Sequence, residues 1–367
     1  MNPSFQRLMA ETTRLTRAGD LRGATAAILA ALSGTAEPAA RARSAGPAVS
    51  DDVDLIDIEA REVVTDAPAA QVRPAPAASA PAPGTGNFIS GNFSDSNGMR
   101  DYKLYIPPGD AGGRAFPMVV MLHGCTQNPD DFAAGTGMND AARERGFYVL
   151  YPAQAQKANA SRCWSWFKHN HQQRGRGEPA LLAGMTRDVI CRHPIDPRRV
   201  YVAGLSAGGA MAAILGDAYP DLFAAVGVHS GLPTGSARDV ASAMAAMKVG
   251  ATVAASSANT PPTIVFHGDQ DTTVHPANGE RVVAAWAESR AAKPKGERGR
   301  IDNGREYTRR NYRDASDQVV AEHWTVHGAG HAWSGGNASG SYTDPKGPDA
   351  TKEMLRFFLA NTLPLAP

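Results

Sequence analysis

The strongest chemical signal in the sequence is a serine in a glycine-rich turn, Gly204-Leu-Ser-Ala-Gly208. A short apolar run at 200–203 precedes this turn, and an Ala- and Met-rich run at 207–218 follows it. A G-x-S-x-G sequence between a strand and a helix holds its serine on a tight turn, which small neighbours make sterically accessible. The helix would direct its first N–H groups toward charge that forms at the serine. We therefore predict that Ser206 is a nucleophile; the alternative is a structural turn with a capping serine.

A nucleophilic serine needs a base to remove its proton, and the base needs a carboxylate to orient it. Hydrolases with this kind of turn place the acid and then the histidine after the serine along the chain. Among the ten histidines, His331 lies in a glycine-rich loop between a predicted strand at 322–326 and the last predicted helix. We predict that His331 is the base. His323 and His327 lie in or at the end of that strand and are predicted to be structural.

Two aspartates follow the buried run 263–266, and each is a candidate for the acid. Asp269 stands beside a glycine and is suited to shaping the turn through its own backbone bonds. Asp271 lies two residues further and is better placed to reach the loop of His331. We therefore predict that Asp271 is the acid and that His267, which precedes it, is structural.

A His-Gly turn, LHGCTQ at 122–127, follows directly after the apolar run 117–122. A loop of this kind supplies the second backbone N–H that binds a developing oxyanion. The predicted donors are the backbone N–H groups of Cys125 and Ala207. His123 is predicted to hold the loop rather than to transfer protons.

The elements that would position these residues alternate along the chain. Runs of alternating polarity at 88–93 and 103–106 predict an antiparallel pair, and continuous apolar runs follow at 117–122, 147–151, 200–203, 224–228 and 263–266. Helices are predicted at about 130–145, 178–192, 207–218, 277–292 and 349–361. Short unbroken apolar runs are typical of parallel strands covered on both faces. The alternation predicts an α/β fold with a mainly parallel, doubly wound sheet and helices on both faces, over residues 87–367.

The chain before this domain differs in composition. Residues 1–33 carry apolar stripes at helical spacing and predict a helical hairpin, which would dock on the domain, associate with a second chain, or lie on a hydrophobic surface such as a polymer granule. Residues 34–86 are rich in Ala and Pro and predict a mostly disordered linker. The apolar run 24–33 is not followed by a clear cleavage motif of small residues, as a secretory signal would be, so we expect a cytoplasmic protein, with secretion as the alternative.

Composition excludes several classes of function. The 367 residues carry 37 Lys and Arg against 36 Asp and Glu, so no strong field favours a nucleic-acid partner. Three cysteines are too few for a four-cysteine metal site, and no apolar run reaches the roughly 18–20 residues of a membrane span. His169 and His171 lack nearby ligand partners, so we expect no metal and no cofactor.

Three tryptophans and two cysteines lie near the predicted site. Trp164 and Trp166 follow the fourth predicted strand, and Trp333 lies two residues past His331. They are candidates for lining a substrate cleft, and a core cluster is an equal alternative for the first two. Cys125 and Cys163 both lie on loops at the expected catalytic edge, where a disulfide would brace the oxyanion loop.

Taken together, these motifs resemble those of poly(3-hydroxybutyrate) depolymerase-type esterases, which are related to feruloyl and acetylxylan esterases. The residues that carry the resemblance are LHGCTQ (122–127), CWSWF (163–167), RGRGEPA (174–180), VYVAGLSAGGAMA (200–212), HGDQDTTVHP (267–276) and GAGHAWSGG (328–336). The resemblance covers about 88–362 and implies an α/β-hydrolase fold and serine-dependent hydrolysis of carboxylic esters. The implied substrates are polyhydroxybutyrate or hydroxyalkanoate oligomers, with feruloyl or acetyl esters of plant polysaccharides as the alternative.

Overall fold

A large twisted sheet with helices on both faces organises the catalytic part of the chain. The computed structural model describes residues 84–109, 115–251, 260–288 and 294–364. These residues belong to one unit that spans Ala75–Pro367. The predicted hairpin at 1–33 and the predicted linker up to residue 83 lie outside the described residues.

Ten strands of the described ranges form the sheet. In chain order they are β1 (Asn87–Asp95), β2 (Gly98–Ile106), β3 (Phe116–Leu122), β4 (Tyr148–Pro152), β5 (Ile195–Leu205), β6 (Ala225–His229), β7 (Thr263–Gly268), β8 (Pro294–Arg300), β9 (Glu306–Arg313) and β10 (Val319–Val326). A separate short pair consists of β11 (Trp333–Ser334) and β12 (Thr343–Asp344).

The spatial order of the strands is β1-β2-β4-β3-β5-β6-β7-β10-β9-β8. The six central strands, from β4 to β10, run parallel, and two antiparallel strands extend each edge. The mainly parallel α/β sheet predicted from the sequence is therefore confirmed. The order reverses between β3 and β5, and loops at such a switch point leave a crevice at the carboxyl ends of the strands.

Seven α-helices lie among the described residues. They are α1 (Pro129–Thr136), α2 (Met138–Arg145), α3 (Gly177–Arg192), α4 (Ala207–Ala218), α5 (Val240–Val249), α6 (Ala277–Glu288) and α7 (Ala350–Leu359). The predicted helix at 130–145 is two helices, because Gly137 adopts a left-handed conformation (φ 63°) that ends α1. Sequence analysis missed α5 as well as the antiparallel strands β8 and β9.

Both faces of the central strands are buried, which explains their unbroken apolar sequence. All seven residues of β3 are buried. Met118, Val120 and Leu122 pack into the core on one face of the sheet. Val119 and Met121 pack into the core on the other face. Alternate side chains thus enter two cores, and this holds the catalytic edge of the sheet rigid.

A buried carboxylate ties several elements together beneath the oxyanion loop. Glu178, at the start of α3, accepts hydrogen bonds from the Ser165 N–H (2.6 Å) and the Gln154 side-chain amide (2.5 Å). The same Gln154 amide also donates to the Cys163 carbonyl (3.0 Å). Burial alone would raise the pKa of Glu178, but hydrogen bonds from His171 and Gln154 outweigh it and hold this pKa below its ordinary value. Glu178 is therefore ionised at neutral pH.

We predict that Glu178→Gln lowers the free energy of unfolding by about 2–4 kcal/mol at neutral pH, because it breaks a buried charged network. A carboxyl whose pKa is depressed in the folded state stabilises the protein above its unfolded pKa, and this contribution is lost as the pH falls through the folded pKa. The difference between wild type and variant should therefore narrow below about pH 4.3. Urea unfolding of both proteins at several pH values measures this difference in the free energy of unfolding.

The matched control is Glu144→Gln in α2, where the side chain is exposed. This change should alter the free energy of unfolding by less than about 0.5 kcal/mol at every pH. A difference between wild type and Glu178→Gln that stays constant down to pH 3 would contradict the assignment of an ionised, stabilising carboxylate.

Candidate active site

Ser206 lies on a tight turn at the carboxyl end of β5, directly before α4. Its backbone is left-handed (φ 58°, ψ −119°), a conformation that is costly for a residue with a side chain. The turn leaves no room for side chains on its neighbours: a Cβ on Gly208 would lie 2.0 Å from the Leu122 carbonyl oxygen. A Cβ on Gly204 would lie 2.4 Å from the backbone of Gly208. The glycines of the G-x-S-x-G motif are thus required by close backbone contacts.

The structure brings His331 and Asp271 together. The His331 Nδ1–H donates to Asp271 Oδ2 over 2.7 Å, and the other carboxylate oxygen accepts the backbone N–H groups of Thr273 and Val274, each at 2.9 Å. The Asp271 side chain is fully buried. Burial would raise its pKa, but hydrogen bonds from His267 and His331 outweigh burial, and the pKa lies well below its ordinary value. A charged Asp271 holds the His331 tautomer in which Nε2 can accept a proton.

The serine turn and the histidine loop meet at His229, a residue that sequence analysis missed. The His229 carbonyl accepts the Ser206 N–H (2.9 Å), and its ring Nε2 accepts the Ser334 N–H (2.9 Å), three residues past His331. The ring stacks between Phe266 and Trp333, with ring centroids 5.7 and 5.0 Å away. Burial, with the nearby His267 and His331, lowers the pKa of His229 far below its ordinary value. The ring therefore stays neutral and keeps Nε2 as an acceptor.

Within the described residues, the Ser206 hydroxyl makes no hydrogen bond to His331. Contacts between a nucleophile and its base are often long in the absence of substrate and shorten in the reacting complex. His229 fixes the backbones of both segments, so a side-chain rotation of Ser206 or His331 is the motion we expect on substrate binding. The structure brings the predicted base and acid into contact, and the roles of Ser206, Asp271 and His331 stay predictions.

The two predicted oxyanion donors border the serine. In the described part of the chain, the backbone N–H groups of Cys125 and Ala207 have no acceptor. Gly124, the residue before Cys125, lies beside the nucleophile, since a Cβ built on Gly124 would be 3.7 Å from the Ser206 Cβ. Ala207 is the first residue of α4, where a free N–H faces charge at the helix N-terminus. Two donors that converge near one hydroxyl can stabilise a tetrahedral oxyanion.

His123 and a disulfide hold the oxyanion loop. The His123 Nδ1–H donates to the Gly124 carbonyl (2.7 Å), and its Nε2 accepts the Gln154 N–H (3.1 Å). Burial lowers the pKa of His123 to about 4, so the ring is neutral and can make both bonds at neutral pH. The structure contains a disulfide between Cys125 and Cys163, with the two Cα atoms 4.3 Å apart. The oxyanion donor on Cys125 is thus braced from both sides.

The three tryptophans proposed to line a cleft are buried. Their exposed fractions are 0% for Trp164, 5% for Trp166 and 1% for Trp333. The Trp164 indole N–H donates to the His123 carbonyl (3.0 Å), and that of Trp333 donates to Thr351 Oγ1 (3.1 Å). These rings lie in the core beside the site, which for Trp164 and Trp166 is the alternative interpretation. A direct role of Trp164, Trp166 or Trp333 in substrate binding stays a prediction.

A second aspartate–histidine pair joins the same two loops as Asp271 and His331. Asp269 Oδ2 accepts the His327 Nδ1–H (2.8 Å), and Asp269 Oδ1 accepts the Gly328 N–H (2.7 Å). Burial would raise the pKa of Asp269, but these two hydrogen bonds outweigh burial and lower it. We expected Asp269 to shape its own turn; instead it reaches across to the segment that leads into the His331 loop. His327 Nε2 in turn lies 2.8 Å from Thr308 Oγ1.

Other candidate groups are placed away from this chemistry. Cys191 is a free, exposed cysteine. His169 and His171 form a short 3-10 helix, and His171 lies 3.7 Å from the Glu178 carboxylate. Across the described ranges, no group of three or more His, Cys, Asp or Glu side chains could hold a metal ion. The helices of these ranges are all too short or too polar to cross a membrane.

We predict that Asp269→Asn lowers kcat by roughly 3- to 30-fold, because small errors in the position of a general base are costly, while KM changes little. The amide can accept only one of the two N–H groups that the carboxylate accepts. Two measurements test this: steady-state turnover of a small ester, and amide hydrogen exchange of the segment 327–336. Hydrogen exchange of this segment should become faster in the variant.

Asp314→Asn is the matched control, since Asp314 also accepts backbone N–H groups but lies in the turn between β9 and β10. It should leave both kcat and exchange of the 327–336 segment at wild-type values. Unchanged kcat and exchange in Asp269→Asn would show that the second pair does not position His331.

Comparisons with known proteins identify the family to which the chain belongs. Residues 100–293 match the family described as Esterase PHB depolymerase. The chain is 32% identical over 253 residues to poly(3-hydroxyalkanoate) depolymerase C of Paucimonas lemoignei, which covers 65% of this chain and 60% of that protein. It is 30% identical over 214 residues to feruloyl esterase B of Thermothelomyces thermophilus, covering 53% of this chain and 72% of that protein.

A solved acetyl xylan esterase from Aspergillus awamori has a similar fold. Its TM-score is 0.55 at 20% identity, and the alignment covers 66% of this chain and 94% of that structure. The chain spans about 60% of the length of the Paucimonas depolymerase that it matches. With the family match extending over more than half of its residues, the chain belongs to the Esterase PHB depolymerase family and has an α/β-hydrolase fold.

Proposed function

We propose that the protein is a serine esterase that hydrolyses carboxylic esters through an acyl-enzyme on Ser206. The observation that carries this proposal is that backbone and side-chain contacts join three features at the carboxyl ends of the central strands. These are the strained Ser206 turn, the buried Asp271–His331 pair, and the two free N–H groups of Cys125 and Ala207. Such an arrangement suits acyl transfer, because each group acts on a different charge of the same tetrahedral intermediate.

In the first half-reaction His331 Nε2 removes the Ser206 proton while Oγ attacks the ester carbonyl carbon. The carbonyl oxygen becomes an oxyanion and accepts the N–H groups of Cys125 and Ala207, and losing such a donor costs about 3–4 kcal/mol of activation free energy. The protonated His331 then gives its proton to the leaving alcohol. In the second half-reaction water attacks the acyl-enzyme by the same route and releases the acid and free Ser206.

The charge on Asp271 supports the positive imidazole that forms in both half-reactions. Asp271 keeps its negative charge throughout, because its depressed pKa opposes protonation. It also fixes His331 in the tautomer with Nε2 free. The two backbone N–H bonds to Oδ1 hold the carboxylate in place while the proton moves.

The proposed substrates are polyhydroxybutyrate or hydroxyalkanoate oligomers. In support, the depolymerase of Paucimonas lemoignei matches this chain over 253 residues at 32% identity. The alternative is a feruloyl or acetyl ester of a plant polysaccharide, because feruloyl esterase B matches at 30% identity. The Ser206, Asp271 and His331 groups act on the ester itself and suit both classes of substrate.

For residues 1–33 the proposal is association with a polymer granule or with a second chain, on the apolar stripes of the sequence alone. A cytoplasmic location, with secretion as the alternative, is likewise a proposal. The association of residues 1–33 and the location of the protein are both independent of the proposed chemistry at Ser206.

We predict that Ser206→Ala lowers kcat by roughly 10⁴-fold or more on any ester that the wild type hydrolyses, because the attacking oxygen is removed. The assay is mass-spectrometric analysis of products from hydroxybutyrate trimer, amorphous polyhydroxybutyrate, ethyl ferulate and acetylated xylan. Ser94→Ala, an exposed serine in β1, is the control and should keep wild-type turnover.

Hydroxybutyrate released by wild type but not by Ser206→Ala would support the depolymerase proposal. Ferulate or acetate released alone would keep the mechanism and move the protein to the polysaccharide esterases. Near-wild-type turnover by Ser206→Ala would refute the assignment of the nucleophile.

A further inference from the structure

One tyrosine near the proposed active site is unusually exposed. Tyr342 is 47% exposed, whereas every other aromatic side chain that the structure describes is buried or half-buried. A tyrosine ring carries a large apolar face and a polar hydroxyl, so it can contact an apolar group while the hydroxyl stays hydrogen-bonded. The surroundings of Tyr342 show which ligand it would contact.

The backbone of Tyr342 is joined to the loop of the general base. Its carbonyl accepts the Trp333 N–H over 2.7 Å, two residues past His331. The next two residues form β12, which pairs with β11 in the same loop region. The Cα of Tyr342 is therefore held on the side of the site where His331 lies.

The side chain of Tyr342 ends at the oxyanion loop. Its hydroxyl lies 3.2 Å from Thr126 Oγ1, and the Thr126 hydroxyl itself donates to the Cys125 carbonyl (2.6 Å). The Gln127 side-chain amide donates to the Ser341 carbonyl (3.1 Å), which gives a second link between the two segments. The ring thus spans the distance from the loop of the base to the loop of the oxyanion donor.

Two residues at this junction have left-handed backbones although neither is glycine. Tyr342 has φ 52° and Thr126 has φ 67°, a region in which residues with large or branched side chains are rare. Such conformations persist where surrounding contacts impose them, and they are concentrated at functional sites. The fold therefore fixes the backbone from which the Tyr342 ring projects, and the contact of its hydroxyl with Thr126 lies at the far end of the ring.

We propose that the Tyr342 ring is a wall of the substrate cleft and contacts the hydrocarbon group attached to the scissile ester. This inference rests on the proposed esterase function. The ring borders the gap between His331 and the oxyanion donor Cys125, where the acyl and alcohol parts of an ester must diverge. An aromatic face there binds an apolar chain at small entropic cost, because a tyrosine has few rotatable bonds.

A purely structural role makes a different prediction, because it depends on the hydroxyl rather than the ring. If Tyr342 only fixed the loop through Thr126, removing the hydroxyl would be as harmful as removing the ring. A substrate contact depends on the length of the hydrocarbon group, whereas loop fixation affects all esters equally. Substitutions that separate hydroxyl from ring therefore distinguish the two.

The test compares Tyr342→Phe with Tyr342→Asn, since asparagine tolerates a left-handed backbone and removes the ring. Two series of esters are assayed: p-nitrophenyl acetate, butyrate and hexanoate, in which the acyl group grows, and ethyl, butyl and hexyl acetate, in which the alcohol grows. In Tyr342→Asn, kcat/KM for the longest member of one series should fall roughly 5- to 20-fold, mainly through KM. The shortest member should change less than about 2-fold, and Tyr342→Phe should keep the wild-type dependence on chain length.

Ile89→Ala is the control, because Ile89 on the edge strand β1 is exposed to a similar degree, 43%. It should alter neither series, and thermal melting of all variants confirms that each is folded.

The series that responds identifies which side of the ester meets the ring. An equal loss on all esters, or none, in Tyr342→Asn would overturn the inference while wild-type turnover still supports the esterase. If Ser206→Ala matched wild type on these esters, the proposed function itself would fail.

Discussion

The strained backbone of Ser206 is the constraint on which the rest of the site depends. A left-handed serine between β5 and α4 requires that Gly204 and Gly208 approach backbone atoms more closely than any side chain would allow. The closest of those atoms belongs to Leu122, the last residue of β3. The same contact that permits the turn therefore brings the oxyanion loop beside the nucleophile. The switch in strand order between β3 and β5 makes this approach available.

Neutral histidines position the groups that carry charge. His229 and His123 are buried and have lowered pKa values, so each can donate through one ring nitrogen and accept through the other. His229 links the serine turn to the loop of His331. His123 donates to the carbonyl of the Gly124–Cys125 peptide group, which also carries the Cys125 N–H. The charged groups of the site are Asp271 and, during the reaction, the imidazolium of His331. Because the positioning histidines His229 and His123 do not change their protonation state, the geometry stays constant while protons are transferred.

Local patterns were enough to predict the chemistry but not the surroundings of the site. Ser206 and His331 lie in glycine-rich segments next to strands, and this context can be recognised in the sequence. The parallel strands can be recognised as well, because their apolar runs are unbroken. Strand β8, with the sequence PKGERGR, has no apolar pattern, because it extends the sheet at an exposed edge. Burial of Trp333 and exposure of Tyr342 are decided by segments distant in sequence. No periodicity could therefore have predicted which of these two rings is exposed.

The central claim is that the ester's acyl group is transferred to Ser206, and trapping that intermediate tests it most directly. Wild type would be mixed with p-nitrophenyl acetate, quenched in acid during the first turnovers, digested, and mapped by mass spectrometry. The account predicts one acetyl group per chain on the peptide that contains Ser206, and none on that peptide in Ser206→Ala. Turnover without an acetylated Ser206 peptide, or stoichiometric acetylation that forms equally fast in Ser206→Ala, would contradict it.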